Sequence, residues 1–171
     1  SVPSADPLEK VSIIPRGRAL GATEQLPQED RHNLNRDYLL GRVAIMLGGR
    51  AAEKTVLGDL SSGAGDDLKS ATELARRMVC QWGMSEKLGP VAFRKGDPHP
   101  FLGREMAEPK DFSEHTARLI DEEIRKILSD MESRAEAILG ERRDQLDALA
   151  QLLMEHETLS KEEIDEALKH L

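Results

Sequence analysis

Aromatic residues are nearly missing from this sequence: three Phe, one Tyr and one Trp in 171 residues. A core built with so few rings must be filled by Leu, Ile, Val, Ala and Met, which suits helix-on-helix packing better than a sandwich or barrel. The single cysteine, Cys80, excludes an intramolecular disulfide and fits a reducing compartment. No run of about 18 apolar residues occurs, so no segment here reads as a membrane-spanning helix, and there is no signal-peptide pattern. Clustered basic residues are also lacking. With a net charge of −8, and Lys87 and Lys95 set apart from rings, a nucleic-acid groove or attraction to anionic lipid is disfavoured. The sequence opens on Ser1 rather than Met and reads as a piece of a longer protein.

What is present is mostly helical periodicity. After a Pro-containing lead of nine residues, Lys10-Val11-Ser12-Ile13-Ile14-Pro15 reads as a short strand, Arg16-Gly17-Arg18 as a turn, and Ala19 to Pro27 as a weaker strand. Together they suggest a hairpin over about 10–27. Pro15 and Pro27 favour edge positions, because proline donates nothing to a ladder. Asn33 or Asn35 can cap a helix over about 34–56, whose apolar positions include Tyr38, Leu39, Val43, Leu47 and Ala51. Gly41, Gly48 and Gly49 lie inside it, each costing about 1 kcal/mol relative to Ala. Either another backbone packs closely there or the helix breaks.

A second helix over about 66–82 carries Leu68, Ala71, Leu74, Ala75, Met78 and Val79 and stops at Gly83, a left-handed terminator. Residues 83–112 are interrupted by Gly and Pro, with Pro98-His99-Pro100 the least helical point, and read as a long irregular loop. From Ser113 a stripe runs through Ile120, Ile124, Ile127 and Met131. A further helix carries Leu146, Leu149, Leu152 and Leu153. A last one opens at Ser160 with Glu163 three residues on, the spacing of a capping box. The fold class expected is mainly α, with a small β-hairpin near the N-terminus and a C-terminal helical bundle. Residues 1–112 form the expected core and 113–171 a C-terminal helical subdomain.

Few residues offer chemistry on spacing alone. Asp66 and Asp67 stand where a small-residue loop, Ser61-Ser62-Gly63-Ala64-Gly65, turns into a helix. They can cap that helix, or one can cap while the other points elsewhere, as a metal ligand would. The five histidines, His32, His99, His115, His156 and His170, show no i, i+3 or i, i+4 pairing. His156-Glu157 begins like H-E-x-x-H, but Ser160 stands where the second His is needed. Cys80, mid-helix, reads as a buried small apolar residue. Ser61 and Ser62 lack an evident base. Gly63-Ala64-Gly65 lacks the Gly-Lys-Ser/Thr of a phosphate loop.

Six segments in order nevertheless resemble one family. Val11 to Gly21 resembles the hairpin in the peptidase domain of FtsH, the family of membrane-anchored ATP-dependent zinc metalloproteases. Leu47-Gly48-Gly49-Arg50-Ala51-Ala52-Glu53 is similar to its Gly-Gly-Arg-x-Ala-Glu helix. Ser62-Gly63-Ala64-Gly65-Asp66-Asp67-Leu68, Gln81 to Pro90, Phe101 to Met106 and Ile120-Asp121-Glu122-Glu123-Ile124 are similar to four more of its motifs. The resemblance covers about residues 6–168.

The resemblance implies a helical peptidase domain that follows a transmembrane segment and an AAA ATPase module in a homo-hexamer. That domain would lie on the cytoplasmic face of the bacterial inner membrane or an organellar equivalent. It further implies an endopeptidase that uses metal-activated water on membrane and unfolded soluble proteins. Zn2+ is held by the two His of H-E-x-x-H and one Asp, which corresponds to Asp67. ATP and Mg2+ belong to the ATPase module. Glu53 and Asp66 take supporting places near the site, and Val11, Ser12, Ile13 and Ile14 match an edge strand on which polypeptide substrate lies extended. H-E-x-x-H itself is absent from the 171 residues. It is expected upstream of Ser1 together with the general-base Glu, so no catalytic residue lies in this chain. The chain alone is expected neither to hold zinc nor to cleave peptides, and Gly48 and Gly49 are expected to receive the missing helix. A non-catalytic domain kept for hexamer assembly is the competing expectation.

Overall fold

The computed structural model describes residues 6–15, 21–25, 34–93 and 112–169. The expected turn at Arg16-Gly17-Arg18, Pro27, His32, Asn33, Lys95, the Pro98-His99-Pro100 point, the Phe101 to Met106 motif and His170 lie outside these residues. The element order is β1 (Leu8–Ser12), β2 (Ala22–Gln25), α1 (Arg36–Ala52), α2 (Gly65–Cys80), α3 (Glu114–Glu141), α4 (Arg143–His156), β3 (Thr158–Ser160) and α5 (Lys161–Leu168).

Asn35 opens α1: it is extended, and its side-chain oxygen accepts the Tyr38 N–H at 2.8 Å, which satisfies one of the free donors of the first turn. Leu39, Val43, Leu47 and Ala51 recur every four residues and are buried. Of these, Leu39, Val43 and Leu47 meet Ala71, Ala75, Met78 and Val79 of α2, and Ile120, Ile124, Ile127 and Met131 of α3, in one cluster. The two alanines keep α2 thin on the side it buries. The core therefore crosses residue 112, and α3 belongs to the same packed unit as α1 and α2.

The link after α2 is fixed by chemistry. Gly83 has φ +59°, and a Cβ there would stand 3.2 Å from the Pro90 Cα, so conformation and space both call for glycine. Beyond it, buried Ser85 donates its hydroxyl to Glu123 at 2.6 Å, and Lys87 pairs with Glu122 at 2.6 Å. Two of the family-like motifs, Gln81 to Pro90 and Ile120 to Ile124, are thus bound to each other.

The C-terminal elements follow their caps. Ser113 accepts the Thr116 N–H at the start of α3. Ser160 and Glu163 form the expected capping box of α5. Leu159 and Ile164 are buried, whereas α4 buries no residue completely.

The sheet corrects one expectation. Its order is β2-β1-β3, antiparallel throughout, with Val11 opposite Thr23 on one side and Leu159 on the other. Val11 and Ser12 are therefore in the middle strand rather than at an edge. Ile13 and Ile14 lie just past it, exposed, and the Ile13 N–H donates to the Glu157 carbonyl at 2.9 Å. The proline argument failed because β1 ends at Ser12, before Pro15, so the missing donor constrains no ladder position. The strand that covers β1, Thr158-Leu159-Ser160, is three residues long between two helices and shows no alternation to detect.

Two stability outcomes follow from this packing. Leu47→Ala empties a fully buried position between three helices and is expected to cost about 2–5 kcal/mol in urea unfolding. Glu157 is the one described non-glycine residue with positive φ, +59° at the end of α4. Glu157→Gly is expected to raise stability by about 1 kcal/mol, because a Cβ is disfavoured in that conformation.

Candidate functional site

The end of α1 shapes the site. After Ala52 the helix widens into a π turn over Glu53–Leu57 and stops at Gly58, with φ +69°. Single π turns inside helices often mark functional sites. Arg50 pairs with Glu132 at 2.9 Å and Lys54 with Glu136 at 2.6 Å, so one face of this end is stapled to α3 at four-residue spacing on both helices. Glu53 lies between them and turns to the following loop. Its carboxylate accepts the Ser61 N–H at 3.0 Å and the Ser61 hydroxyl at 2.7 Å. Ser61 Oγ in turn accepts the Gly63 N–H at 3.1 Å and caps a single 3-10 turn, Ser62–Ala64, that leads into α2. Those bonds, the backbone one first, hold the Glu53 carboxyl below the usual glutamate range.

Asp66 and Asp67 occupy the first turn of α2, exposed to solvent. Neither caps it. The N-cap position is Ala64, which has no side-chain bond to give, and Ser61 caps the preceding turn instead. The cap expected from one or both of the pair is thus corrected: the 3-10 turn moves the helix start ahead of the acidic pair and leaves both carboxylates inside the first turn, where the helix dipole favours negative charge.

The two are not equivalent. Asp67 lies four residues before Ala71 and eight before Ala75, so it continues the stripe that α2 buries, at the end where the core runs out. Asp66 lines a groove of about 460 Å³ between α1 and α2, whose other charged lining residues are Arg42, Lys69, Glu73 and Arg77. Among the described residues, neither carboxylate takes part in a hydrogen bond or ion pair.

The remaining candidates are placed plainly. His115 and His156 are exposed. His156 is the last residue of α4, and the chain turns at Glu157 into β3, so no helical i+4 partner can follow it. Cys80 is half-buried, and desolvation pushes its thiol up, which suits packing rather than nucleophilic work. A Cβ at Gly48 or Gly49 would meet nothing within 4 Å; the close backbone expected there is not supplied by the described residues. Val56, Leu57, Leu60 and Leu68 are exposed in the same stretch, Leu57 at 73%.

Comparison with known proteins gives this geometry a context. The family model for peptidase family M41 matches residues 1–167. This chain belongs to peptidase family M41. The M41 match reaches from ahead of β1 into α5. The ATP-dependent zinc metalloprotease FtsH of Nitrosococcus oceani is 58% identical over 170 residues, covering 99% of this chain and 27% of the relative. The protein of the same name from Syntrophotalea carbinolica is 51% identical over 167 residues, covering 98% and 26%. The ATP-dependent zinc metalloprotease FtsH 4 of Sphaerobacter thermophilus is 51% identical over 166 residues, covering 97% and 25%. The chain thus spans about a quarter of the length of the curated relatives it matches.

Zinc in such a family asks for a donor set. A catalytic zinc takes about three protein ligands, and the described residues contain no group of three His, Cys, Asp or Glu able to hold a metal. They do not form a zinc site among themselves. Asp67 fits as one oxygen donor, being a carboxylate side chain that is accessible and without a protein partner among the described residues.

The loop clamp has a pH signature. A carboxyl whose pKa falls on folding stabilises the folded form above its unfolded pKa, and that contribution is lost as pH drops through the lowered value. The Ser61 amide resonance is expected to titrate with a midpoint below that of glutamate in an unfolded peptide, and not to titrate in Glu53→Gln. A midpoint at or above the unfolded value would contradict the clamp.

Proposed function

We propose that this chain is the part of an FtsH-type zinc endopeptidase that contributes the third metal ligand, Asp67. The two histidines and the general-base glutamate come from an H-E-x-x-H segment that the 171 residues do not contain. The observation that carries the reading is Asp67 itself: an unpartnered carboxylate ending the buried stripe of α2, in a chain of peptidase family M41. Open space over Gly48 and Gly49 and the bare side chains of Val56, Leu57, Leu60 and Leu68 support a helix docking at this end of the molecule. The chain by itself neither holds zinc at Asp67 nor hydrolyses peptides.

Polypeptide is the proposed substrate. An unpaired strand edge offers backbone partners to any sequence, which suits a protease for unfolded chains. Val11 and Ser12 are flanked on both sides, so the edge assigned to substrate is β2, Ala22–Gln25, which pairs with β1 alone among the described residues. The ATPase module, the hexamer and the membrane anchor belong to the proposal for the whole protein. Among the described residues, no helix is long and apolar enough to cross a membrane.

The test compares the 171-residue chain with a protein that joins it to the H-E-x-x-H segment. The longer protein is expected to bind one zinc per chain, cleave an unfolded polypeptide and melt at higher temperature with less binding of a hydrophobic dye. Asp67→Ala in it is expected to lose zinc and activity together. Stoichiometric zinc or proteolysis in the short chain, or unchanged zinc binding in Asp67→Ala, overturns the proposal. Absence of H-E-x-x-H from the parent gene would instead favour a non-catalytic assembly domain.

A further inference from the structure

The loop between α1 and α2 has no core to hold it. No residue of the π turn or of the 3-10 turn is buried, and Leu57, Gly58, Asp59 and Leu60 are all exposed. A loop fixed by neither packing nor a strand ladder keeps its conformational freedom unless specific bonds remove it. Among the described residues, the side-chain hydrogen bonds that reach this loop from the α1 end both stop on Glu53. They run from the Ser61 N–H at 3.0 Å and the Ser61 hydroxyl at 2.7 Å. The other side-chain bonds are local: Asp59 accepts the Leu60 N–H at 2.7 Å, and Ser61 Oγ accepts the Gly63 N–H at 3.1 Å.

These bonds form a relay of fixed direction. The ion pairs of Arg50 and Lys54 anchor the end of α1 to α3. The π turn sets Glu53 at the mouth of the loop. Its carboxylate takes both donors of Ser61, and charge-assisted bonds of this kind are the stronger sort. Ser61 then caps the 3-10 turn, and that turn runs directly into the first residues of α2, Asp67 among them. Glu53 and Asp67 do not touch each other; the connection runs through Ser61.

We infer that Glu53 is a positioning residue: through Ser61 it locks the loop ahead of α2 and so sets where the Asp67 carboxylate stands. The inference rests on Asp67 being a metal ligand. Partners one step removed from a metal typically change affinity by about 10–100-fold when lost, because they orient the ligand. Helix α2 itself is secured by Ala71, Ala75, Met78 and Val79, so the clamp acts on the approach to the helix and not on the core.

The experiment uses the full-length protease, with its H-E-x-x-H segment, and five variants: Glu53→Ala, Ser61→Ala, the double variant combining those two, Ser61→Thr and Asp67→Ala. Three readings are taken: zinc affinity by competition with a chelator, amide exchange at Ser61 and Gly63, and thermal melting of the zinc-free protein. Glu53→Ala and Ser61→Ala are each expected to weaken zinc about 10-fold or more and to speed exchange at both amides, with melting unchanged. The double variant is expected to be no worse than Glu53→Ala, since the two act as one unit. Ser61→Thr keeps the hydroxyl and is expected to restore affinity and protection. Loss of zinc in Asp67→Ala with normal affinity in Glu53→Ala and Ser61→Ala overturns the relay while leaving the ligand assignment intact. Additive losses, or failure of Ser61→Thr to rescue, also overturn it. Normal zinc affinity in Asp67→Ala removes the reading on which the inference stands.

Discussion

The structure depends on the burial of one face of α1. Leu39, Val43, Leu47 and Ala51 are almost wholly removed from water, each a turn from the next, and the first three pack in one cluster with side chains of both α2 and α3. A helix this short holds together in water mainly through such packing rather than through its own propensity, the more so with three glycines in it. The opposite consequence appears at its C-terminal end. Where the buried stripe finishes, the ladder widens into the π turn, the side chains turn outward, and polar bonds take over from packing. The candidate site is built at that change of regime.

Much of the helical architecture could be read before any coordinates, because helices announce their ends locally. Asn35, Ser113 and the Ser160–Glu163 pair are caps whose partners lie within a turn, and Gly83 has the positive φ its position called for. The core residues followed from a 3.6-residue period. What escaped depends on contacts between distant parts of the chain. Nothing near Val11 indicates that Leu159 will lie beside it. Nothing near Glu53 indicates that it will hold Ser61, eight residues on, because that bond needs the π turn, and a π turn has no compositional mark. The acidic pair was visible, but its division of labour was not. A cap was expected from the pair, but α2 starts without a side-chain cap, and Ser61 caps the 3-10 turn ahead of it.

The family-like motifs gain physical content from the fold. Within Gly48-Gly49-Arg50-Ala51-Ala52-Glu53, Arg50 pairs with α3, Ala51 is buried, Glu53 holds the loop, and the two glycines leave open surface. Within Gln81 to Pro90, the glycine makes the turn, and Ser85 and Lys87 bind Glu123 and Glu122 of another motif. These residues make a frame. If Asp67 is the metal ligand proposed above, the placing of that one carboxylate draws on three helices and a loop.

The flanking of β1 by β3 has a consequence for how the molecule is made. Ser12 and Thr158 touch through their hydroxyls at 2.8 Å although 146 residues separate them. Loop-closure entropy makes such distant pairings late events in folding. On the ribosome the first strand emerges long before the segment that will cover its second side. Through that interval it can pair with β2 but keeps one bare edge, the feature that invites adventitious strand pairing between chains. The yield of this fold therefore depends on how β1 is protected while the segment between it and β3 is being made.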